Sequence, residues 1–486
     1  MSTILERLRT FDLDELTPKQ FALIIFVLFF AGAVLRFWNL GQFNELVFDE
    51  TFFPKFAYDY MLQKPFFHSH PPLGKYTQVI GIWIYNHLPW VNDPAIGSVA
   101  LDELSAQSWR WVNATFGSLL SLIVAFTVYR LTNNRLFTVL ATLFVVVDGC
   151  LIVASRYGLS NVQILFFGFL SLLFLIQAVK AKTKHRKWLI LCGIFLGCAY
   201  SVKWNGLGYS LIAWAVLFGG SICLFSERLL NKYITSRKGK LTKVAKDSVF
   251  RKIGQSERIL YLVVLPLILY CLMWIPDFRV NSKHESIGFI GMHQKMLGFH
   301  SNEAEADSHP YCSRWYSWPL MMRPIAYYWD SRKEVLEDGT KVKKVHNVAS
   351  FGNPLLYWMS ALAVLWVFFQ WLYSVFIWLK LGRLQESYAI HSVIVLGFGA
   401  NFLPWSMVSR CTFLYHYQSA SIFSFLALAW VTTGFFKSKN RWLNYLAVVI
   451  VVVVMAAFLY WLPYQLGIEI TYDQWKSRIW LDPQWI

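Results

Sequence analysis

Charged residues are scarce in this chain, 15% of 486 positions, against roughly 25% in soluble domains. That deficit excludes a water-soluble globule of this size. Acids are the scarcer sign, 28 Asp and Glu against 45 Lys and Arg. Cysteine is sparse as well. The seven cysteines contain no CxxC pair and no Cys/His spacing of the zinc type, and no disulfide framework is legible. Four of them, Cys192, Cys198, Cys223 and Cys271, lie inside apolar runs. Neither an internal repeat nor a low-complexity segment is present. The first apolar run, near Phe21, follows a polar, partly acidic stretch and has no small-residue cleavage site. It reads as a retained signal anchor, not a removed signal peptide.

What is abundant is apolar and aromatic. Hydrophobic residues make up 56%, with 23 Trp, 24 Tyr and 40 Phe, and Trp and Tyr favour the headgroup layer of a bilayer. The apolar residues cluster into runs near the length of about 20 residues that crosses a membrane. About eleven spans follow, near 21–38, 110–130, 136–154, 162–179, 188–206, 208–225, 259–276, 355–379, 388–405, 412–436 and 442–462. The apolar segment 76–90 is short and reads as a helix along the interface. The expected fold class is therefore an all-α integral membrane protein.

Charge orients it. A net charge of +17 suggests nucleic acid in a soluble protein. Here the excess sits in the short loops at Arg130 and Arg135, Lys180–Lys187, Arg228–Arg258, Lys380 with Arg383, and Lys437–Arg441. With a cytoplasmic N-terminus all five face inward, as the positive-inside rule requires. Nucleic acid is not an expected partner. The resulting organisation is a cytoplasmic segment 1–20 and an N-terminal transmembrane region 21–276 with a first outer loop 41–108. A second outer loop 277–350, a C-terminal four-helix region 351–463 and a non-cytoplasmic tail 464–486 complete it.

This orientation collects the chemically capable residues on one face. Asp49 and Glu50, in Val47-Phe-Asp-Glu50, follow the first span. Solvated loop charge is the plain reading of such a pair, and catalysis the alternative. His68-Ser-His-Pro-Pro-Leu-Gly-Lys75 is an extended turn fixed by two prolines. Its two histidines lack a third ligand at a zinc-like spacing, so no metal is assigned. Arg110, Arg156, Lys203 beside Trp204, and Arg410 with His416 stand at outer span ends. Snorkelling explains any one of them, but cations belong inside, so a group of them outside points to a bound anion such as a lipid phosphate. His309-Pro-Tyr-Cys-Ser-Arg-Trp315 adds aromatic and polar groups suited to interfacial packing or to stacking on a sugar or acceptor. Phe351-Gly-Asn-Pro354 reads as a structural turn.

Taken in order, Phe48-Asp-Glu50, His70-Pro-Pro-Leu73, Arg156-Tyr157, Ser201-Val-Lys-Trp204, His309-Pro-Tyr311 with Trp315 and Trp318-Pro319, Gly352-Asn-Pro354, and Arg410 with Tyr415-His-Tyr417 resemble the protein O-mannosyltransferase family of the GT-C superfamily. The resemblance runs from about residue 36 to 463. It implies a GT-C membrane fold and an inverting transfer of mannose from a polyprenyl (dolichyl-type) phosphate to Ser or Thr hydroxyls of translocated proteins. No cofactor is required, and pairing into a dimer is common in the family. By position, Asp49 matches the family's essential acid, with Glu50 beside it. Arg110, Lys203 and Arg410 are assigned to the donor phosphate, and His70, Arg156, His309, Trp315 and His416 to substrate. Asn161 departs from the acid often found there, and 277–350 is too short for the β-trefoil domain of many eukaryotic members. The compact bacterial form in a plasma membrane is thus expected, with the endoplasmic reticulum as alternative.

A hydroxyl needs a base as it attacks. Asp49 is the expected one, although the sequence leaves open which of the two acids acts. The competing readings are a lipid-directed transferase, such as one moving aminoarabinose, and a lipid-linked-sugar flippase. A flippase would place ionisable residues at mid-membrane, whereas here the polar clusters lie in outer loops.

Overall fold

The computed structural model describes residues 17–233, 253–301, 309–335, 337, 339–381, 385–482 and 485, without the side chains of 222–224 and 227–233. The readings made on residues 1–16 and on most of the basic loop 234–252 fall outside the described residues.

The first helix shows how local chemistry sets a span. Helix α1 is Pro18–Phe37. The Thr17 hydroxyl accepts from the Gln20 amide, and the Gln20 side chain accepts from Thr17 in return. Proline occupies the first turn, where its missing N–H costs nothing. Short helices α2 (Phe53–Met61) and α3 (Leu73–Asn86) follow. Then come α4 (Gln107–Thr132), α5 (Arg135–Val146), α6 (Gly149–Arg156), α7 (Asn161–Lys180), α8 (His185–Val202) and α9 (Leu207–Tyr233). Helix α10 (Gln255–Val280) contains a π-helical turn at Leu260–Val264. Helices α11 (Ser282–His300), α12 (Pro354–Leu381), α13 (Tyr388–Phe402), α14 (Gln418–Phe436), α15 (Arg441–Leu466) and α16 (Tyr472–Lys476) complete the helical set.

Among the described residues, eight helices are long and apolar enough to cross a membrane, and a bent pair makes nine. The sequence reading placed about eleven. Its fifth and sixth spans coincide with α8 and α9, which are helical but do not meet that measure. The expected span 136–154 is the bent pair. Helices α5 and α6 meet at 57°, and the Asp148 carboxylate caps α6 by accepting from the Leu151 amide at 3.0 Å. Gly149 permits the bend. A Cβ there would lie 2.2 Å from the Phe351 carbonyl oxygen. The break turns α6 into the bundle and carries Arg156 to the C-terminal end of α1.

Helices α4, α7 and α14 form the interior, whereas α1, α12 and α15 present mostly exposed apolar faces. Helix α4 packs on α1, α5 and α7, α7 on α8, and α14 on α5, α12 and α13. Outside the bundle lies a small antiparallel sheet of β1 (Ile325–Val335), β2 (Lys341–Ser350) and β3 (Ile470–Thr471), in the order β1-β2-β3. A register shift between Ala326 and Tyr328 bulges Tyr327 out of the ladder. The segments 41–108 and 277–350 are joined by a buried network. Tyr60 donates to Asp277, His284 bonds the other oxygen of Asp277 at 2.7 Å, and Asn281 donates to the Phe66 carbonyl at 3.0 Å.

One sequence reading is overturned here. Cys312 and Cys411, 99 residues apart, form a disulfide, although no disulfide framework was legible. Neither cysteine sits in a recognisable spacing pattern, and only the fold brings the second outer loop against the entry to α14.

Candidate active site

The two acids lie on one 3-10 turn, Phe48–Thr51. Phe48 has φ 49°, a left-handed backbone that an aromatic residue rarely adopts. Such strain persists where surrounding contacts over-determine it. Here the Phe48 ring stacks on Tyr327 with centroids 4.6 Å apart. The turn sends the two carboxylates into different surroundings.

Glu50 points into the bundle and is fully buried. Its Oε1 accepts from Arg110 Nε at 2.9 Å and the Gly158 amide at 2.7 Å. Its Oε2 accepts from Arg110 Nη2 at 2.7 Å and the Val47 amide at 3.1 Å. With two donors on each oxygen, no lone pair remains for a substrate. Arg110 is equally committed. Besides Glu50 it donates to the carbonyls of Leu40, Phe43 and Glu45 at 2.8–2.9 Å, which occupies all five guanidinium N–H groups. The expectation that Arg110 holds a donor phosphate is therefore corrected, since it has no N–H left to offer. Arg156 is also a strut. It is buried, and its Nη1 donates to the Leu35 and Trp38 carbonyls at the end of α1.

Asp49 points the other way, toward Lys203, and accepts a hydrogen bond from the Tyr415 hydroxyl. Burial raises its pKa to about 6, against the opposing pull of Lys203 and Tyr415. That is a carboxylate tuned toward neutrality, as a proton acceptor working near neutral pH requires. Lys203 donates to Asn161 Oδ1 at 2.8 Å, and its ammonium lies 4.7 Å from the centre of the Phe53 ring. Asn161, where the family often has an acid, thus steers Lys203.

Lys203 opens onto a cavity of about 310 Å³. Its polar wall includes His70, Lys203, Trp204, His300, Arg410 and His416, and its apolar wall includes Leu207, Leu211, Pro404 and Val408. Leu207 and Leu211 are exposed on the flank of α9. The shape suits an amphiphile with a charged head and an apolar tail. Burial, aided by the neighbouring cations, keeps His68 and His70 neutral and lowers His300 to about 4. The proline turn is held from within by Lys75, which donates to His68 Nδ1 at 3.2 Å and to the carbonyls of His70 and Pro71. A second cavity of about 550 Å³ shares Val408 and Arg410 and is lined by Ser313, Arg314, Trp315 and Tyr316 around the disulfide.

The structure thus gathers Asp49, Lys203, His70, Arg410 and His416. It sets Glu50, Arg110 and Arg156 apart as internal struts. Trp315 lies in the second cavity, and His309 packs its ring 5.4 Å from Phe413. The sequence reading missed Tyr415 and His300 as site residues. Tyr415 stood inside a recognised motif, but nothing local marks His300, which reaches the site from the end of α11 and bonds the Ser69 carbonyl at 2.9 Å.

Asp49 thus stands against Lys203, which with Arg410 and three histidines walls an amphiphile-shaped cavity. The sequence profile described as dolichyl-phosphate-mannose-protein mannosyltransferase matches residues 26–282. The chain belongs to that family. A second profile, the C-terminal four-transmembrane region of protein O-mannosyltransferases, matches residues 287–485. The polyprenol-phosphate-mannose–protein mannosyltransferase of Corynebacterium glutamicum is 25% identical over 472 residues, covering 86% of this chain and 81% of the relative. The protein of that name from Mycobacterium tuberculosis is 22% identical, covering 93% and 90%. The fold is shared with the Saccharomyces cerevisiae Pmt1-Pmt2 complex bound to the sugar donor. That likeness has a TM-score of 0.75 at 16% identity and covers all of this chain and 94% of the other. Membership makes this chain a mannosyltransferase, a membrane glycosyltransferase of GT-C fold.

Proposed function

We propose that this protein transfers mannose from a polyprenyl-phosphate donor to Ser or Thr hydroxyls of translocated proteins, with Asp49 as the general base. The observation that carries this reading is the division between the two acids. Glu50 has no lone pair left, while Asp49 is tuned to about 6 next to the cation-walled cavity. In this reading the donor phosphate sits against Lys203 and Arg410, and the isoprenoid leaves between Leu207 and Leu211. The departing phosphate already holds negative charge, so these cations stabilise it without a general acid. Asp49 takes the hydroxyl proton as the acceptor attacks opposite the phosphate, and one displacement inverts the anomeric centre. His70, His300 and His416, His70 and His300 being neutral, line the head of the cavity as hydrogen-bonding groups for sugar or phosphate. Glu50 and Arg110 position the turn that aims Asp49. The second cavity, with Trp315 and Arg314, is assigned to the acceptor polypeptide.

The reading includes a location. A disulfide between Cys312 and Cys411 suits an oxidising compartment, which agrees with the charge-based placement of this face outside the cytoplasm. The bacterial plasma membrane is proposed because the named relatives that the chain matches over most of its length are bacterial. Pairing with a second chain belongs to the same reading, since the yeast neighbour is a two-protein complex. Native mass spectrometry in mild detergent reads that directly.

The test is transfer by purified protein supplied with polyprenyl-phosphate mannose and a Ser/Thr-rich peptide, followed by mass spectrometry. Mannosylated peptide from wild type and none from Asp49→Asn supports the reading. Transfer to a lipid acceptor alone would replace it with the lipid-directed alternative.

A further inference from the structure

The opposite end of the bundle carries a second built site. A cavity of about 320 Å³ lies where α12, α13 and α14 approach the start of α5, lined by Asn134, Trp366, His391, Trp430, Gly434 and Lys437. Helix α14 begins beside Tyr415 at the candidate active site and ends at Phe436. Its 19 residues separate the two cavities by roughly 28 Å at 1.5 Å per residue. The site therefore takes no part in the chemistry at Asp49.

We propose that this cavity binds the anionic phosphate headgroup of a membrane phospholipid. The hydrogen bonding of His391 carries the argument. His391 is 5% exposed. Trp430 Nε1, which can only donate, bonds His391 Nε2 at 3.1 Å. The imidazole proton consequently sits on Nδ1, and Nδ1 has no partner among the described residues. A buried donor without an acceptor is costly. A phosphate or ester oxygen in the adjoining cavity meets that need. Lys437 at the rim supplies positive charge, and Arg135, Lys439 and Arg441 stand at the same helix ends, where anionic headgroups gather against basic residues. Trp366 and Trp430 have the amphipathic rings favoured at headgroup depth. Gly434 leaves the room. A Cβ built there meets nothing within 4 Å.

That open space supplies the test. Gly434→Phe places a ring where a Cβ meets open space, and Lys437→Gln removes rim charge while keeping most of the side-chain length. Detergent-purified wild type, mixed with equal phosphatidylglycerol and phosphatidylcholine, is examined by native mass spectrometry. Retention of phosphatidylglycerol about tenfold above phosphatidylcholine, lost by about tenfold in Gly434→Phe and reduced in Lys437→Gln, supports the site. A melting temperature of Gly434→Phe in lipid-free detergent equal to wild type verifies its fold. Should that variant not fold, Lys437→Gln decides alone. Equal retention of the two lipids, or retention unchanged in the folded variants, overturns the proposal. So does sn-glycerol 3-phosphate displacing the lipid at comparable concentration, which would mark a site for free phosphate. None of these readouts depends on transferase activity.

Discussion

The turn at residues 48–51 faces two unlike regions of the molecule. On the Glu50 side both charged groups are saturated. Glu50 takes four donors and Arg110 gives five bonds, all to groups of the chain itself. On the Asp49 side the matching is incomplete by design. A partly buried carboxylate meets one hydroxyl and one ammonium beside an open cavity, and its proton affinity is raised to about 6. Saturation is what a structural ion pair needs, because a buried charge without partners is expensive. Spare capacity is what catalysis needs, because a lone pair already in use cannot take a proton. Adjacent residues of one chemical type therefore stand in opposite states of saturation.

The comparison can be broken at either side. The largest effect is expected on the open side. Asp49→Asn should lower the turnover by about 10²–10⁴-fold, the usual range for a lost general base. It should leave the melting temperature no lower than wild type. The sign follows from the raised pKa, since ionised Asp49 opposes folding as pH climbs from 3.8 toward about 6, and the amide removes that opposition. A variant that melts well below wild type would show Asp49 to be structural.

Next comes the closed side. Glu50→Gln leaves the Arg110 guanidinium buried without its counter-charge, at a cost of about 3–5 kcal/mol. Thermal unfolding in detergent should show a much lower transition. A stable Glu50→Gln protein with unimpaired folding and abolished turnover would reverse the division of roles.

A smaller change sharpens the electrostatics. Lys203 pulls the Asp49 pKa down, so Lys203→Met should move the acidic limb of kcat/KM to higher pH. It should also raise the apparent donor KM roughly tenfold, through loss of a charge-assisted contact to phosphate. In wild type, activity should appear as pH rises through about 6. The smallest effect is expected of Tyr415→Phe. It removes the weaker of the two influences holding Asp49 down, so the same limb should move in the same direction by less, with donor KM unchanged. A limb that stays in place in both variants would mean that Asp49 does not govern it.

Much of this was written in the sequence. Long apolar runs have few ways to bury themselves, so the membrane class and most helix positions followed from hydropathy. The ordered short motifs led to the family. Asp49, Lys203 and the His70 turn were legible because motif and topology placed them on one face. Tertiary structure decided the rest. That Arg110 is spent on Glu50, that α5 and α6 bend at Asp148, that Cys312 meets Cys411, and that His300 reaches the cavity are all contacts between segments distant in the chain. Such pairings leave no local periodicity. A side chain's bonding capacity is known from its type, but whether that capacity is consumed is settled only when the chain folds, and this separates saturated Glu50 from Asp49.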